Sequence, residues 1–201
     1  MATIRAVIFD LGRVLVTIDP SRAAARFPQL RLDEIIKFSA ADDPQFQAFN
    51  RGEITPEKFH VALGEKFGVA LSFAEIHAAW TGIFSPMPGM RELVGELRAA
   101  GQVKLGLLSD TDPWHWEFIG REFSWIKETF LRPTLSFQIG VLKPAAAAFL
   151  RAAANVDEPP ENCLFIDDRA DNVAGARAVG MSAVQFRDAA TLRRELPLKM
   201  L

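Results

Sequence analysis

Three short apolar segments of the chain each end at a polar side chain that could take part in catalysis. The first segment ends at Asp10, the second at Ser109, and the third at the adjacent pair Asp167 and Asp168. Carboxylates held close together repel one another unless a cation or a proton neutralises them. Mg²⁺ suits such a site, because it binds to a few carboxylates together with water molecules and a phosphate group. Lys143, which precedes a proline and a helical stretch, would add a positive charge.

These residue types together predict phosphoryl-transfer chemistry. A carboxylate such as Asp10 can attack phosphorus and form an aspartyl-phosphate. The Ser109 hydroxyl and the loop that follows it, beginning at Asp110, can donate hydrogen bonds to phosphate oxygens. Lys143 would stabilise the charge that develops as the phosphoryl group moves. We therefore predict Asp10 and Lys143 as catalytic residues, and Ser109, Asp110 and Lys143 as the phosphate site.

The elements that carry these residues alternate between strands and helices. Strands are predicted at 6–9, 105–108, 163–166 and 182–186, with a possible short strand at 135–137, and helices at 90–100, 145–154 and 172–179. This alternation is typical of an α/β fold with a parallel sheet and right-handed crossovers. In such sheets ligands bind beyond the carboxyl ends of the strands. The polar side chains should therefore converge at one edge.

Residues 17–84 have a different pattern, which is helical and contains no convincing strand. Thr55 precedes Pro56 as a helix start, Ser72 and Glu75 form a capping-box pattern, and 31–38 has apolar residues at helical spacing. We therefore expect an α/β core domain built from 1–16 and 85–201, interrupted by a helical domain at 17–84.

Four stretches of the sequence resemble, in the correct order, the motifs of the haloacid dehalogenase superfamily. They are 6–12, 107–111, 140–144 and 165–172 with its continuation to 181. The resemblance implies a Rossmann-like core with an inserted helical cap over the site, and a phosphatase activity. It also implies that Asp10 is both nucleophile and metal ligand, and that Asp168 and Asp167 hold Mg²⁺.

Position 12 departs from the pattern of most phosphatases in this superfamily, which carry there an Asp that protonates the leaving oxygen. Gly12 cannot do this, although its carbonyl can still bind the metal. The stretch beginning Asp10-Leu11-Gly12 resembles a branch of sugar-phosphate phosphatases, similar to glucose-1-phosphate phosphatases, whose motif reads Asp-Leu-Gly-Asn-Val. Arg13 replaces the Asn of that branch. The roles of Arg13 and of His115, a candidate replacement acid, stay open.

Two alternatives to a phosphatase follow from the same residues. A haloacid dehalogenase also uses an Asp nucleophile and lacks the second Asp, but it needs no Mg²⁺, and the Asp167–Asp168 pair favours a metal. A catalytically silent module that binds a phosphorylated ligand is supported by Gly12 alone. It is disfavoured because binding does not require a nucleophile such as Asp10.

Composition limits the partners and the compartment. The chain has 201 residues, 49% of them hydrophobic, and a net charge of −2, so no basic surplus exists for binding nucleic acid. No apolar run approaches the ~20 residues needed to span a bilayer. Cys163 is the only cysteine, which fits a reducing compartment. We expect a cytoplasmic protein, monomeric or homodimeric, that acts on a small phosphorylated metabolite without nucleic-acid or membrane partners.

Overall fold

A computed structural model of the protein describes residues 3–27, 31, 33 and 43–196. Its centre is a five-stranded parallel sheet with the strand order β5-β4-β1-β6-β7. The strands of this sheet are β1 (Ala6–Phe9), β4 (Lys104–Ser109), β5 (Thr134–Leu135), β6 (Cys163–Asp167) and β7 (Ser182–Gln185). The predicted α/β fold with a parallel sheet is confirmed.

Helices cover both faces of this sheet, and further helices lie in the part of the chain between β1 and β4. The described helices are α1 (Ser21–Arg26), α2 (Pro44–Asn50), α3 (Pro56–Phe67), α4 (Phe73–Thr81), α5 (Met90–Ala100), α6 (Pro113–Glu122), α7 (Ser124–Thr129), α8 (Ser136–Ile139), α9 (Ala146–Asn155), α10 (Ala170–Ala178) and α11 (Ala189–Glu195). None of them is long and apolar enough to cross a bilayer.

The central strand β1 is apolar at every position because both of its faces are buried. Val7 and Phe9 pack into a core with residues of α5, α6 and α7. Ala6 and Ile8 pack into a second core with residues of α9 and α10. Successive side chains of a strand point to opposite faces, so a strand covered on both sides loses the usual alternation of apolar and polar residues.

The segment between β1 and α5 contributes no strand to the five-stranded sheet, within the residues that the structure describes. A separate antiparallel pair, β2 (Val16–Ile18) and β3 (Phe84–Pro86), joins its two ends. The capping box of Ser72 and Glu75 is present at the start of α4, as predicted. The helix predicted at 31–38 falls almost wholly outside the described residues.

Two local predictions differ from the structure. The sequence did not indicate the β2–β3 pair, which lies at the boundaries of the predicted helical span and has only three residues in each strand. The short strand predicted at 135–137 is instead Thr134–Leu135, and α8 begins at Ser136. At the start of α8 the single Ser136 hydroxyl proton is shared between the carbonyls of Asn50 and Thr111, at 2.7 and 3.0 Å.

Candidate active site

A cavity of about 520 Å³ opens at the carboxyl edge of the sheet. Its lining includes Asp10, which follows β1, Ser109 at the end of β4, Asp168 after β6, and Lys143 from the loop before α9. Parallel strands all end at the same edge, and this brings residues separated by more than a hundred positions into one site. The convergence expected from the sequence is therefore present.

Lys143 joins the carboxylates at the ends of β1 and β6. Its Nζ donates to Asp10 Oδ1 at 2.6 Å and to Asp167 Oδ2 at 2.8 Å. All three side chains are buried. Charged hydrogen bonds of this length are strong, and each charge here would be costly to bury alone.

Asp167 is oriented by groups from the start of α10. Its carboxylate accepts the backbone N–H of Arg169 at 2.9 Å, and the Asn172 side-chain amide lies 3.0 Å from both carboxylate oxygens. Asp171 forms an exposed ion pair with Arg169 and accepts the backbone N–H of Asn172 at 2.9 Å.

Burial governs the charge states of this cluster. It raises the pKa of Asp10 to about 7; the Lys143 ammonium opposes this effect and the Asp167 carboxylate adds to it. Burial and then the charge of Asp167 raise the pKa of Asp168. Burial alone would lower the pKa of Lys143, but the charges of Asp10, Asp110 and Asp167 outweigh it and raise that pKa, so the ammonium stays charged. A further cation would relieve the excess of carboxylates.

The carboxylates of Asp10, Asp167 and Asp168 form a donor set that fits a divalent cation. One oxygen from each lies within 4.8 Å of the others. Hard oxygen donors of this kind suit Mg²⁺. Gly12, whose carbonyl was predicted as a further ligand, lines the same cavity.

Ser109 and Asp110, the predicted phosphate contacts, occupy different positions. Ser109 is buried at the last position of β4 and lines the cavity. The Asp110 carboxylate accepts the backbone N–H of Lys143 at 3.0 and 3.2 Å. Asp110 therefore fixes the loop that carries the lysine. A contact between Asp110 and phosphate remains a prediction.

The turn after Asp10 has an unusual backbone conformation at Arg13. Its φ is 59°, in the left-handed region that residues other than glycine rarely adopt. The Arg13 N–H donates to the Val16 carbonyl at 2.6 Å and closes the turn. Gly12 and Arg13 both line the cavity. The turn therefore presents Arg13 beside the candidate nucleophile.

A buried polar network links α4 to the loop before α6, and the sequence did not reveal it. Asp112 accepts hydrogen bonds from the indole nitrogen of Trp80 at 2.9 Å and from Nδ1 of His115 at 2.8 Å. His115 Nε2 lies 3.0 Å from the Trp80 carbonyl, and the two rings stack. The Asp112-Pro113 pair signals a helix start, but the partner Trp80 is 32 positions away. His115 lines the cavity with both ring nitrogens engaged.

Comparison with known proteins agrees with the architecture. Residues 4–180 match the haloacid dehalogenase-like hydrolases. The chain is 28% identical to D-ribitol-5-phosphate phosphatase of Bacteroides thetaiotaomicron, covering 96% of this chain and 97% of that protein. It is 27% identical to sesquiterpene phosphatase astK of Aspergillus oryzae, covering 96% and 95%.

A solved structure of a HAD family enzyme from Bacteroides thetaiotaomicron, in complex with magnesium and inorganic phosphate, has a similar fold. The TM-score is 0.80 at 26% identity, over 92% of this chain and 95% of that one. The prediction of a hydrolase built on this fold is confirmed, and the family match spans every motif from Asp10 to Asn172. The chain belongs to the haloacid dehalogenase-like hydrolases.

Proposed function

We propose that the protein is a Mg²⁺-dependent phosphohydrolase that cleaves a small organic phosphate ester through an aspartyl-phosphate on Asp10. The observation that carries this proposal is the position of the Asp10 carboxylate. It lines the cavity, 2.6 Å from the Lys143 ammonium and within 4.8 Å of two further carboxylates. A nucleophile held between a fixed cation and a cation-binding cluster is suited to an anionic electrophile such as phosphate.

The reaction has two steps on this chain. The Asp10 carboxylate attacks phosphorus, the phosphorus–oxygen ester bond breaks, and the leaving oxygen takes a proton from water to give the free alcohol. Water then attacks the same phosphorus, which releases Asp10 and inorganic phosphate. Lys143 and the Ser109 hydroxyl hold phosphate oxygens through both steps. Mg²⁺ held by Asp10, Asp168, Asp167 and the Gly12 carbonyl would neutralise phosphate charge.

Residues 17–84 act in this proposal as a cap over a core built from 1–16 and 85–201. Ile18, Phe46, Leu63 and Ile76 from this span line the same cavity as Asp10. A cap in that place excludes water from the reacting centre and contacts the leaving group.

The identity of the leaving alcohol is the finer part of the proposal. The sequence favoured a sugar phosphate, and D-ribitol-5-phosphate phosphatase is a relative of that kind. Sesquiterpene phosphatase astK, at nearly the same identity, is named for a hydrocarbon group instead. The two relatives support a phosphate ester in common, and they differ in the polarity of the leaving group for which each is named.

The proposal is tested with an Asp10→Asn variant and an aryl phosphate such as p-nitrophenyl phosphate. The wild type should release phosphate with Mg²⁺ and not in excess chelator, and the variant should lose at least about 10³-fold in rate. Asp188→Asn, at the exposed start of α11, is the matched control and should keep full activity.

Two results would replace the proposal. Halide release from L-2-chloropropionate that continues in chelator would favour a dehalogenase. Phosphate binding without turnover of any ester would favour the silent module.

A further inference from the structure

The cavity has a second region, which is apolar and is lined by the residues between β1 and α5. We call this region the apolar chamber and define it by Ile18, Phe46, Leu63, Phe67, Ile76 and Phe84. The elements β2, α2, α3, α4 and β3 each contribute at least one of these side chains. The chamber is therefore built by five of the six elements that the structure describes in and at the ends of the proposed cap.

The apolar chamber begins directly beside the candidate nucleophile. A Cβ placed on Gly12 would lie 2.9 Å from the Cδ1 methyl of Ile18. Gly12 is two residues from Asp10, and Ile18 follows the turn that Arg13 closes. An alcohol attached to a phosphate at Asp10 would thus have the Ile18 hydrocarbon within reach on the side of Gly12.

Four polar side chains that the structure describes along this chamber already have partners, while the charged Arg13 lines the cavity next to the turn that follows Asp10. The Asn50 side-chain amide donates to the Phe46 carbonyl at 2.8 Å. The Gln47 side-chain oxygen accepts from Arg51 at 3.2 Å. Both ring nitrogens of His115 and the indole nitrogen of Trp80 are engaged in the buried network. These groups serve the fold and would have to break existing hydrogen bonds to bind a ligand.

This distribution of polarity discriminates between leaving alcohols. The hydroxyls of a polyol would lose water in the chamber and gain few partners, and burying such groups unpaired is unfavourable. A hydrocarbon loses no hydrogen bonds there, and its burial is favourable in proportion to its apolar area. A volume of about 520 Å³ for the whole cavity is within the usual size of a small-molecule site.

We propose that the preferred substrates are monophosphates of apolar alcohols, with the phosphate at Asp10 and the hydrocarbon in the apolar chamber. This inference rests on the proposed phosphatase function. The bond broken is the one between phosphorus and the oxygen of the apolar alcohol. The products are that alcohol and inorganic phosphate.

The test compares two esters of equal carbon number, pentyl phosphate and ribitol 5-phosphate, in wild-type enzyme with Mg²⁺. Both release a primary alcohol. The neighbouring hydroxyls of ribitol make it the better leaving group, so chemistry alone would favour it. We expect kcat/KM to be about 10²-fold higher for pentyl phosphate, and to rise further with longer alkyl chains. A ratio below tenfold would overturn the inference.

An Ile18→Thr variant tests the chamber itself, since threonine keeps the β-branched shape of the side chain. We expect its kcat/KM for pentyl phosphate to fall about tenfold, with that for ribitol 5-phosphate unchanged or higher. Val61→Thr makes a comparable change at an exposed site of α3 outside the cavity and should alter neither value. A variant of Ile18 that kept the wild-type ratio would contradict the assignment of the chamber.

The same assays separate this inference from the function on which it rests. If neither ester nor p-nitrophenyl phosphate is hydrolysed, the proposed phosphatase fails, and the substrate class fails with it. If ribitol 5-phosphate is hydrolysed as fast as pentyl phosphate, the phosphatase stands and only the apolar substrate is overturned.

Discussion

The Lys143 ammonium nitrogen lies 2.6 Å from a carboxylate oxygen of Asp10, although 133 positions separate the two residues in the chain. The same nitrogen lies 2.8 Å from Asp167. One buried cation therefore ties the loop before α9 to the ends of β1 and β6. The same ammonium group would therefore both orient the nucleophile and hold the strand ends together.

Lys143→Met should lower both stability and activity, because methionine is of similar length and uncharged. Removing one partner of a buried ion cluster costs about 3–5 kcal/mol in the free energy of unfolding. We expect a loss of that size in urea denaturation with chelator present, and a larger recovery with Mg²⁺ than the wild type shows. Phosphate release should fall about 10²–10³-fold even when the variant is folded.

The matched control for Lys143 is Lys104→Met. Lys104 bonds the Asp157 carbonyl and pairs with Glu158 at the surface. Its removal should change stability and activity little, because exposed pairs contribute little. A Lys143→Met protein as stable in chelator as the wild type would contradict the proposed tie.

Asp168→Ala should weaken Mg²⁺ binding, since it removes one of three carboxylates within 4.8 Å of one another. We expect the Mg²⁺ concentration for half-maximal activity to rise at least about tenfold. The increase in Tm produced by Mg²⁺ should shrink in parallel, because a ligand stabilises the folded state according to its affinity. Asp171→Ala, which removes the partner of Arg169 at the surface, is the control. Equal responses to Mg²⁺ in the two variants would exclude Asp168 as a ligand.

Gly12→Asp should supply a proton donor at the position where this chain has glycine. The φ of Gly12 lies outside the left-handed region, and a new Cβ would meet only the terminal part of the Ile18 side chain, so the turn can accept a side chain. General acid catalysis contributes about 10²–10⁴-fold. We expect turnover of alkyl phosphates to rise at least about tenfold relative to p-nitrophenyl phosphate, whose leaving group needs no proton.

Gly12→Asn controls for the Gly12→Asp experiment, because asparagine has the same size and cannot donate a carboxyl proton. It should leave the alkyl-to-aryl ratio at the wild-type value. If the two variants changed that ratio equally, proton donation at position 12 would not explain the effect. If the wild type already hydrolysed both esters at the same chemical rate, the protein would have another donor.

Asp112→Asn should destabilise the protein in a pH-dependent manner. Burial alone would raise the pKa of Asp112, but the His115 charge and the hydrogen bonds from His115 and Trp80 hold it below 3.8. A carboxyl with a lowered folded-state pKa adds stability above its unfolded pKa, and that stability is lost as pH falls through the folded value. We expect the free energy of unfolding of the variant to be about 1–3 kcal/mol below that of the wild type at pH 7. This difference should become smaller below pH 3.8.

Chemical denaturation of Asp112→Asn across this pH range is the measurement. Asparagine can still accept the hydrogen bond at the N-terminus of α6, so loss of helix capping would not explain a change in stability. Asp188→Asn removes a carboxylate from the exposed start of α11 and should produce little change at any pH. A deficit for Asp112→Asn that stayed constant below pH 3.8 would show that its charge contributes nothing.

The sequence predicted the sheet and the strand-end residues because both depend on local patterns. Asp10, Ser109 and Asp167 each follow or close an apolar run, and in a parallel sheet that position alone places them at one edge. No three-dimensional information was needed for these assignments.

Contacts between distant segments were not predictable in the same way. The bond from Trp80 to Asp112 depends on how α4 docks against the loop before α6, and no spacing in the chain encodes that docking. The Ser136 hydroxyl bridges the Asn50 carbonyl and the Thr111 backbone, so it attaches α2 to the loop after β4. The polarity of the cavity also depended on which cap residues face inward, and the helical pattern left this open.

The placement of β1 has a consequence for the newly made chain. β1 is complete at Phe9, yet its two neighbours in the sheet begin at Lys104 and Cys163. During synthesis the strand that carries Asp10 therefore stays apolar on both faces and unpaired until the chain as far as these neighbouring strands has left the ribosome. Contacts so distant in sequence form slowly, and an exposed apolar strand is prone to aggregate in the meantime. Transient shielding of the amino-terminal segment, by a chaperone or by the nascent helices of 43–81, would govern how much of this protein reaches its folded state.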